Sequence, residues 1–293
     1  MTRRGFIIVP VLVIMGLSSM ACTLSSWPVV HGSGRVAEKA FDVEGFSGVA
    51  LGNQGDLSIE LGEAESLVVE AEDNVIPQLE VYVSDGVLHL GTRPGVSLYP
   101  TRPIRFYLTV TELDTLRVSG SGNVEGPVME GEHVSVTVSG SGDVRLDGLL
   151  AEDDVEVRVS GSGGVDVTGG GTDWLNLAAE QASVRISGSG GVDLGDVQAE
   201  RIEVQLSGSG DLDVDGGEVA EQDVRISGSG VYSARDLATA MTDVHVTGTG
   251  SATVRVSDRL KARVSGSGDV RYIGAPRIEQ TVTGSGDVRQ IEG

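Results

Sequence analysis

The residue types that most often carry out catalysis or hold a metal ion are few in this chain and lie far apart. Among its 293 residues there are one cysteine, Cys22, and four histidines without metal-ligand spacing, namely His31, His89, His133 and His245. A single cysteine excludes a disulfide framework and any cysteine-rich zinc or iron–sulfur site. The serines lack a Gly-x-Ser-x-Gly elbow with a suitable order of Asp and His. We therefore predict no catalytic residue, no cofactor and no metal site.

A Gly-Ser-Gly triplet recurs along the chain and imitates a phosphate-binding loop. Such a loop needs a lysine directly after its last glycine. Here that position holds residues such as Asn123, Asp143 and Asp211. We interpret the triplet as a corner of the backbone, in which glycine allows positive φ and stacked serine hydroxyls hydrogen-bond to one another.

Residues 211–216 (DLDVDG) imitate the first half of an EF-hand calcium loop. The twelfth position of that loop should be a bidentate glutamate, and here it is Gln222. In a β-strand the aspartates would face solvent while Leu212 and Val214 would be buried. We favour this strand over a weak calcium site.

Arginine recurs two residues before the repeated turn, at Arg117, Arg158, Arg185, Arg225 and Arg263. Such a row could bind an anionic glycan. The neighbouring outward positions, however, hold acids, at Glu156, Glu203, Asp223, Asp243 and Glu279. Opposite charges on adjacent strands pair weakly, at about a few tenths of a kcal/mol each. We expect a solvated face whose charges neutralise one another, with glycan binding as the alternative.

The overall charge limits the classes of ligand. Acidic residues outnumber lysine and arginine by 43 to 21, which gives a formal net charge of −22 at pH 7. A surface of this sign repels the phosphate backbone of nucleic acids, so we expect no nucleic-acid partner.

The N-terminus has the features of an export signal. Arg3 and Arg4 precede an apolar run from Phe6 to Leu17, and small residues lead up to Cys22. This run is shorter than the roughly 20 residues that span a bilayer. The pattern therefore favours a signal peptide over residues 1–21 and disfavours an N-terminal membrane anchor.

The position of Cys22 resembles that of the modified cysteine of bacterial lipoproteins. In those proteins the thiol receives a diacylglycerol and the cysteine becomes the mature N-terminus. The resemblance implies lipidation of Cys22 and a firm membrane anchor built from several acyl chains. Ser19 stands where lipoproteins prefer leucine, so cleavage by the ordinary signal peptidase, which would leave a free thiol, is the alternative. Residues 22–35 are predicted to form a flexible tether.

A repeat dominates the remainder of the chain. The tetrapeptide Ser/Thr-Gly-Ser/Thr-Gly occurs nine times, at intervals of 20, 21, 27, 20, 20, 20, 18 and 18 residues. It begins at Ser119, Ser139, Ser160, Ser187, Ser207, Ser227, Thr247, Ser265 and Thr283. The longest interval contains an inserted loop at residues 169–174. An aliphatic residue precedes every tetrapeptide, and a second apolar residue stands two positions earlier in most units.

This alternation has the period of two that is typical of a β-strand with one buried face. One unit cannot bury its apolar face alone, whereas stacked units can. A sandwich or barrel would need recurrent hairpin turns, which do not recur in this sequence. We predict an all-β protein, a parallel β-helix or β-solenoid with about 20 residues per coil over residues 113–293. Residues 36–112 alternate without the tetrapeptide and are predicted to cap the solenoid.

Two features together resemble a known family. The block FDVEGFSGVALGNQGDLSIELGEAESLVVEAEDNVIPQLEVYVSDGVLHLGT and the following VSGSGDV units are similar to bacterial auto-transporter adhesins named for the head GIN domain. The resemblance implies a β-helical fold like that of pectin-lyase-type solenoids. It also implies an adhesive role, without catalytic residues that could be assigned to this chain.

We therefore expect a non-enzymatic lipoprotein of the bacterial cell envelope, anchored in the outer membrane and facing the periplasm or the cell surface. It would act as an adhesin or interaction module. Its expected partners are the membrane, through the anchor, and a protein or glycan ligand. The alternative is a carbohydrate-active enzyme, such as a polysaccharide lyase, on the same fold. Such an enzyme would need carboxylates or basic residues from neighbouring coils to converge on a groove.

Overall fold

A computed structural model describes residues 28–169 and 176–293. The predicted signal peptide, Cys22, the first part of the predicted tether and nearly all of the inserted loop lie outside the described residues.

Strands form almost all of the regular structure, with one turn of 3-10 helix at Ile76–Gln78 in the part described. The N-terminal strands are β1 (Val29–His31), β2 (Val36–Phe41), β3 (Gly48–Leu51), β4 (Asp56–Leu61), β5 (Ser66–Glu72), β6 (Leu79–Ser84), β7 (Val87–Thr92), β8 (Ser97–Tyr99) and β9 (Arg105–Val110). The strands of the repeat are β10 (Thr115–Val118), β11 (Val124–Val138), β12 (Val144–Val159), β13 (Val165–Val167), β14 (Leu177–Ile186), β15 (Val192–Leu206), β16 (Leu212–Ile226), β17 (Val231–Gly248), β18 (Ser251–Gly266), β19 (Asp269–Ile273), β20 (Arg277–Gly284) and β21 (Asp287–Gln290).

Each coil of the repeat lies directly on the preceding coil, and the strands of neighbouring coils pair in parallel. Val204 of β15 faces Val224 of β16, which faces Val244 of β17, so paired residues are 20 positions apart. The longest interval does not interrupt this stacking, because β13 and β14 each pair with both β12 and β15. The predicted parallel β-solenoid with about 20 residues per coil is confirmed.

The core consists of aliphatic columns that run along the solenoid axis. One column is formed three residues before the tetrapeptides, and its members are at most 1% exposed: Val136, Val157, Val184, Val204, Val224, Val244 and Ala262. A second column lies directly before the tetrapeptides and is similarly buried from Val118 to Val264. Stacked side chains in a column repeat at about 4.8 Å, the spacing of paired strands. Each apolar side chain is therefore covered by the coils on both sides of it.

The corner glycines are needed because stacked coils approach closely at this point. A Cβ atom on Gly140 would overlap the carbonyl oxygen of Gly120, and a Cβ atom on Gly161 would overlap that of Gly140. Among the described corners, positive φ occurs only in the last three, at Gly248, Gly266 and Gly284. Positive φ, the reason predicted from the sequence, is therefore the wrong explanation for most of these glycines.

Backbone amides, rather than the predicted chain of serine hydroxyls, hold the corners together. The Ser139 N–H donates to the carbonyl oxygen of Val118 at 2.8 Å, and equivalent bonds recur along the stack. Within the described corners, one pair of hydroxyls bonds directly, Ser229 with Thr249 at 3.0 Å. The corner serines thus leave most of their hydroxyls free to face solvent.

The N-terminal region continues the sheets of the solenoid and then closes them. β3 pairs in parallel with β10, and β4 with β11. Beyond them the pairing becomes antiparallel, between β2 and β5, β5 and β9, and β6 and β7. Lys39 lies on edge strand β2 opposite the buried Val69, with its Nζ 4.3 Å from the ring centroid of Phe41. A charge on the inward side of an edge strand opposes pairing with another chain.

Part of the predicted tether is folded. Residues 29–31 form β1, which pairs in parallel with β8, so their backbone groups have partners. Just beyond β1, the Gly34 N–H donates to the carboxylate of the buried Glu72 at 2.6 Å. The same carboxylate accepts a hydrogen bond from the Thr101 hydroxyl at 2.7 Å. The prediction of flexibility is therefore wrong for residues 29–31.

The described C-terminal coil, formed by β20 and β21, is covered on one side only. Ile278 and Val282 of β20 are 43% and 40% exposed. Between them Gln280 occupies the column that valines fill in earlier coils. A polar side chain thus interrupts the aliphatic column at this coil.

Candidate functional site

One functional candidate is the outer surface of the strands that lead into the tetrapeptides, which we call the charged face. Its side chains form three outward rows, set by the parallel register of β11, β12, β14, β15, β16, β17, β18 and β20. The first row is His133, Asp154, Gln181, Arg201, Glu221, Met241, Arg259 and Arg277. The second row is Ser135, Glu156, Ser183, Glu203, Asp223, Asp243, Lys261 and Glu279. The third row is Thr137, Arg158, Arg185, Gln205, Arg225, His245, Arg263 and Thr281.

Most basic side chains of the charged face are paired with carboxylates of the second row and its neighbours. Glu156 bonds both Arg158 and Arg185, the latter at 2.8 Å. Further along, Arg225 lies 2.8 Å from the carboxylate of Asp223. Asp243 in turn lies 3.6 Å from both Lys261 and Arg263. The arginine row that the sequence revealed is therefore largely neutralised within the chain, which disfavours it as a site for an anionic glycan.

An open groove of about 500 Å³ lies on the charged face. It is lined by groups from neighbouring coils, including His133, Asp154, Glu156, Arg185, Arg201 and Glu203. A carbohydrate-active enzyme needs such convergence. Here, however, Arg185 bonds Glu156 at 2.8 Å, and Arg201 bonds Glu221, outside the groove, at 2.7 Å. Both arginines that line the groove therefore already have carboxylate partners.

A cluster that the sequence did not reveal includes His133 and Asp153 of this groove. Glu132, His133 and Asp153 place one potential ligand atom each within 4.8 Å of one another. The Nδ1 of His133 is 2.5 Å from Oδ1 of Asp154, and this hydrogen bond raises the pKa of His133 above its ordinary value of 6.5. Asp153 lies one coil beyond His133, so only the register of the solenoid brings the two together. The 21-residue interval after Ser139 was the signal of this irregular coil.

The other three histidines lie apart from this cluster. His31 stacks on Tyr99 with ring centroids 5.5 Å apart, and His89 stacks on Tyr82 at 4.7 Å. His245 lies in the third row of the charged face. The first two rings therefore pack against tyrosines.

The EF-hand-like residues form a strand, as predicted. Leu212 and Val214 of β16 are buried, and the aspartates that alternate with them are exposed. Asp213 stands beside Asp193 of the preceding coil. Partial burial, followed by the carboxylates of Asp213 and Asp166, raises the pKa of Asp193 above its ordinary value of 3.8. These acids share an outward row on another side of the coil from the charged face.

Comparison with known proteins identifies the family. The model of the family described as "putative auto-transporter adhesin, head GIN domain" matches residues 45–179 and 168–276. The chain belongs to this family. The resemblance seen in the N-terminal block and the repeats is therefore confirmed, and the two matched segments include most of the coils of the charged face.

Solved structures of similar architecture include proteins from two Parabacteroides species. A putative adhesin from Parabacteroides distasonis is 24% identical, with a TM-score of 0.70 over 90% of this chain and 100% of its own. A putative adhesin from Parabacteroides merdae is 20% identical, with a TM-score of 0.61 over 90% of this chain and 99% of its own. A P. distasonis protein described as a putative lipid binding protein is also 20% identical, with a TM-score of 0.64 over 90% and 99% of the two chains. At these identities the likeness establishes the fold.

No curated protein matches the chain at a significant level. Within residues 28–169 and 176–293, none of the helical structure has the length and hydropathy of a membrane-spanning segment.

Proposed function

We propose that the chain is a non-enzymatic adhesin or interaction module of the bacterial cell envelope. In this proposal residues 1–21 direct export, and lipidated Cys22 anchors the protein in the outer membrane. The solenoid then presents the charged face to a protein or glycan ligand. Membership of an adhesin family supports this role, and the sequence around Cys22 supports the anchor.

The charged face is the observation that carries the proposal. Its three rows extend over eight stacked strands, which at about 4.8 Å per step gives a rigid surface roughly 34 Å long. Opposite charges alternate across it, and most are partly exposed. Many weak contacts would therefore orient a partner that has a complementary charge pattern. Such a partner would lie on the surface and would not be enclosed in a pocket. Proteins and glycans, unlike small molecules, are large enough to make such contacts.

Attachment of cells that carry the full chain tests this role. Cells with and without the protein would be applied to surfaces coated with fibronectin, mucin or a neutral polysaccharide. We expect attachment to at least one coating to depend on the protein. Equal attachment of both kinds of cell to every coating would contradict the proposal. Release of unsaturated sugars from pectate or alginate by the chain would favour a lyase instead.

Charge reversal identifies the surface that binds. A variant with Arg185→Glu and Arg201→Glu changes the charged face, and we expect it to attach several-fold less. The control, Arg145→Glu with Arg271→Glu, makes the same change in net charge on another side of the coil and should attach like the wild type. Equal losses in both variants would show that net charge, rather than the charged face, governs attachment.

A further inference from the structure

Glu132, His133 and Asp153 lie at a defect in the regular stacking. The register between β11 and β12 shifts after Gly131, because β11 advances by two residues over the stretch in which β12 advances by three. The same extra residue appears in the pairing of β12 with β14, between Leu150 and Asp154. The defect is thus a bulge that belongs to β12. It accounts for the single extra residue in the 21-residue interval between Ser139 and Ser160.

The bulge brings two consecutive aspartates to the same histidine. The register after the bulge places Asp154 directly opposite His133. The extra residue leaves Asp153 beside His133 as well, with a carboxylate oxygen within 4.8 Å of the imidazole and of Glu132. In a regular coil neighbouring side chains point to opposite faces of the strand. Bulges re-aim side chains in this way and are common beside functional sites.

The two carboxylates play different parts towards the imidazole. Asp154 accepts a hydrogen bond from Nδ1–H of His133 at 2.5 Å. This bond fixes the ring orientation and leaves the lone pair of Nε2 available. Glu132 lies on the Nε2 side, with Oε1 at 3.9 Å from that nitrogen. In protein metal sites, a carboxylate often accepts a hydrogen bond from one imidazole nitrogen and so orients the ring, while the other nitrogen binds the metal. The carboxylates around His133 have this arrangement.

We propose that Nε2 of His133 and the carboxylates of Glu132 and Asp153 bind a divalent transition-metal ion of the zinc type. Imidazole suits zinc, nickel and copper, whereas calcium and magnesium prefer oxygen ligands alone. Zinc bonds to nitrogen and oxygen at about 2.0–2.2 Å, so two of its ligands lie at most about 4 Å apart. The 3.9 Å separation already meets this limit. The remaining atoms need only a small rotation of exposed side chains, and water completes the coordination.

Calorimetric titration with zinc chloride tests this site. The full chain would carry Cys22→Ser, because a free thiol binds zinc, and would lack a histidine tag. An excess of magnesium would suppress weak binding to the many surface acids. We expect one equivalent of zinc to bind. His133→Ala and Glu132→Gln should each weaken binding by about tenfold or more, whereas His245→Ala on the same face should leave it unchanged.

Asp154 is tested as a positioning residue. Asp154→Ala removes the acceptor for Nδ1–H and should weaken zinc binding by about 10- to 100-fold, as loss of such partners does in other metal sites. Asp154→Asn keeps an acceptor oxygen and should lie between this variant and the wild type. The melting temperature of each metal-free variant should match that of the parent. Affinity unchanged in Asp154→Ala would overturn the orienting role.

Nuclear magnetic resonance provides a readout without substitution. Zinc should move the imidazole resonances of His133 and saturate at one equivalent, while those of His31, His89 and His245 stay in place. Absence of saturable binding in excess magnesium would overturn the proposal. So would zinc binding that survives in His133→Ala, or equal losses in His133→Ala and His245→Ala.

Discussion

The backbone N–H of Gly164 donates a hydrogen bond of 2.8 Å to Oδ1 of Asp143, one coil earlier in the solenoid. The same contact joins the N–H of Val231 to Oδ1 of Asp211 at 2.8 Å. Oδ1 of Asn123 accepts the N–H of Asp143 in the same way, at 3.0 Å. Asn123, Asp143 and Asp211, each of which directly follows a tetrapeptide, therefore each satisfy a backbone N–H of the next coil.

Loss of one such contact should lower stability measurably. We expect Asp143→Ala to reduce the free energy of unfolding by about 1 kcal/mol, the usual net worth of one hydrogen bond. Asp143→Asn keeps the acceptor oxygen and should be close to the wild type. Asp213→Ala, at an exposed strand position, serves as the control in urea denaturation. Comparable losses in Asp143→Ala and Asp213→Ala would contradict the proposed role of Asp143.

The corner glycines should tolerate no side chain where coils meet. In Gly161→Ala the new Cβ would overlap the carbonyl oxygen of Gly140, and stacking on both sides prevents the backbone from moving away. We expect a loss of about 2 kcal/mol or more. Gly91→Ala is the control, because a Cβ there would meet no atom closer than 4.0 Å. Equal melting temperatures for the two variants would show that the corner can relax.

Whole coils should be removable when the deletion takes out every member of the buried hydrogen-bond network inside the stack. The buried Gln222 donates to the hydroxyl of Tyr232 at 2.5 Å and accepts from that of Thr242 at 3.3 Å. Deleting residues 208–227 alone would leave the Tyr232 hydroxyl without this partner. Deleting residues 208–247 removes two coils together with all three residues. It joins Ser207 to Gly248, which restores the corner sequence Ser-Gly-Thr-Gly.

Deletion of residues 208–247 should therefore be better tolerated than a shorter deletion that ends within a coil. After loss of residues 208–247, Val204 would stack on Ala262 and Leu206 on Val264, so the columns remain apolar. We expect a β-rich circular dichroism spectrum and a modestly lower melting temperature. Deletion of residues 208–237 is shorter but leaves half a coil and breaks the register of every later strand. If this shorter deletion gave the more stable protein, the coils would not be independent units.

The N-terminal cap should weaken in acid through Glu72. A hydrogen bond from the Thr101 hydroxyl, with backbone N–H groups of Gly34, Thr101 and Arg102, holds the pKa of Glu72 below its ordinary value of 4.5 against the effect of burial. The unfolded chain lacks these bonds, so the stabilisation is complete above the ordinary pKa. It is lost as the pH falls through the lowered pKa of the folded state.

Comparison of melting temperatures across this range checks the effect. Glu72→Gln should be less stable than the wild type near neutral pH, and the difference should shrink as the pH falls below 4.5. Glu60→Gln, at an exposed position of β4, should track the wild type throughout. A difference between Glu72→Gln and the wild type that stays constant with pH would contradict the assignment.

The repeat made the solenoid predictable, because the spacing of the tetrapeptides and the alternation before them, as at Val157 and Val159, fix both coil length and buried face. The histidine cluster was not predictable in the same way. His133 and Asp153 become neighbours through an extra residue in one strand, and sequence spacing does not show which residue bulges. The sequence showed the corner glycines but not the reason why glycine is needed there, since the close approach of Gly140 to Gly120 involves two different coils.

The proposed function depends on membrane anchoring of the protein and on its exposure at the cell surface, and both can be measured with cells that produce it. The full chain would be labelled within the solenoid and produced in a Gram-negative host, beside Cys22→Ser. Detergent partitioning and external protease would then be applied to both. We expect the wild type to enter the detergent phase and to be cleaved on intact cells, whereas Cys22→Ser should be soluble or unprocessed. Equal partitioning of the two proteins, or a wild type that protease reaches only after lysis, would contradict anchored display at the surface.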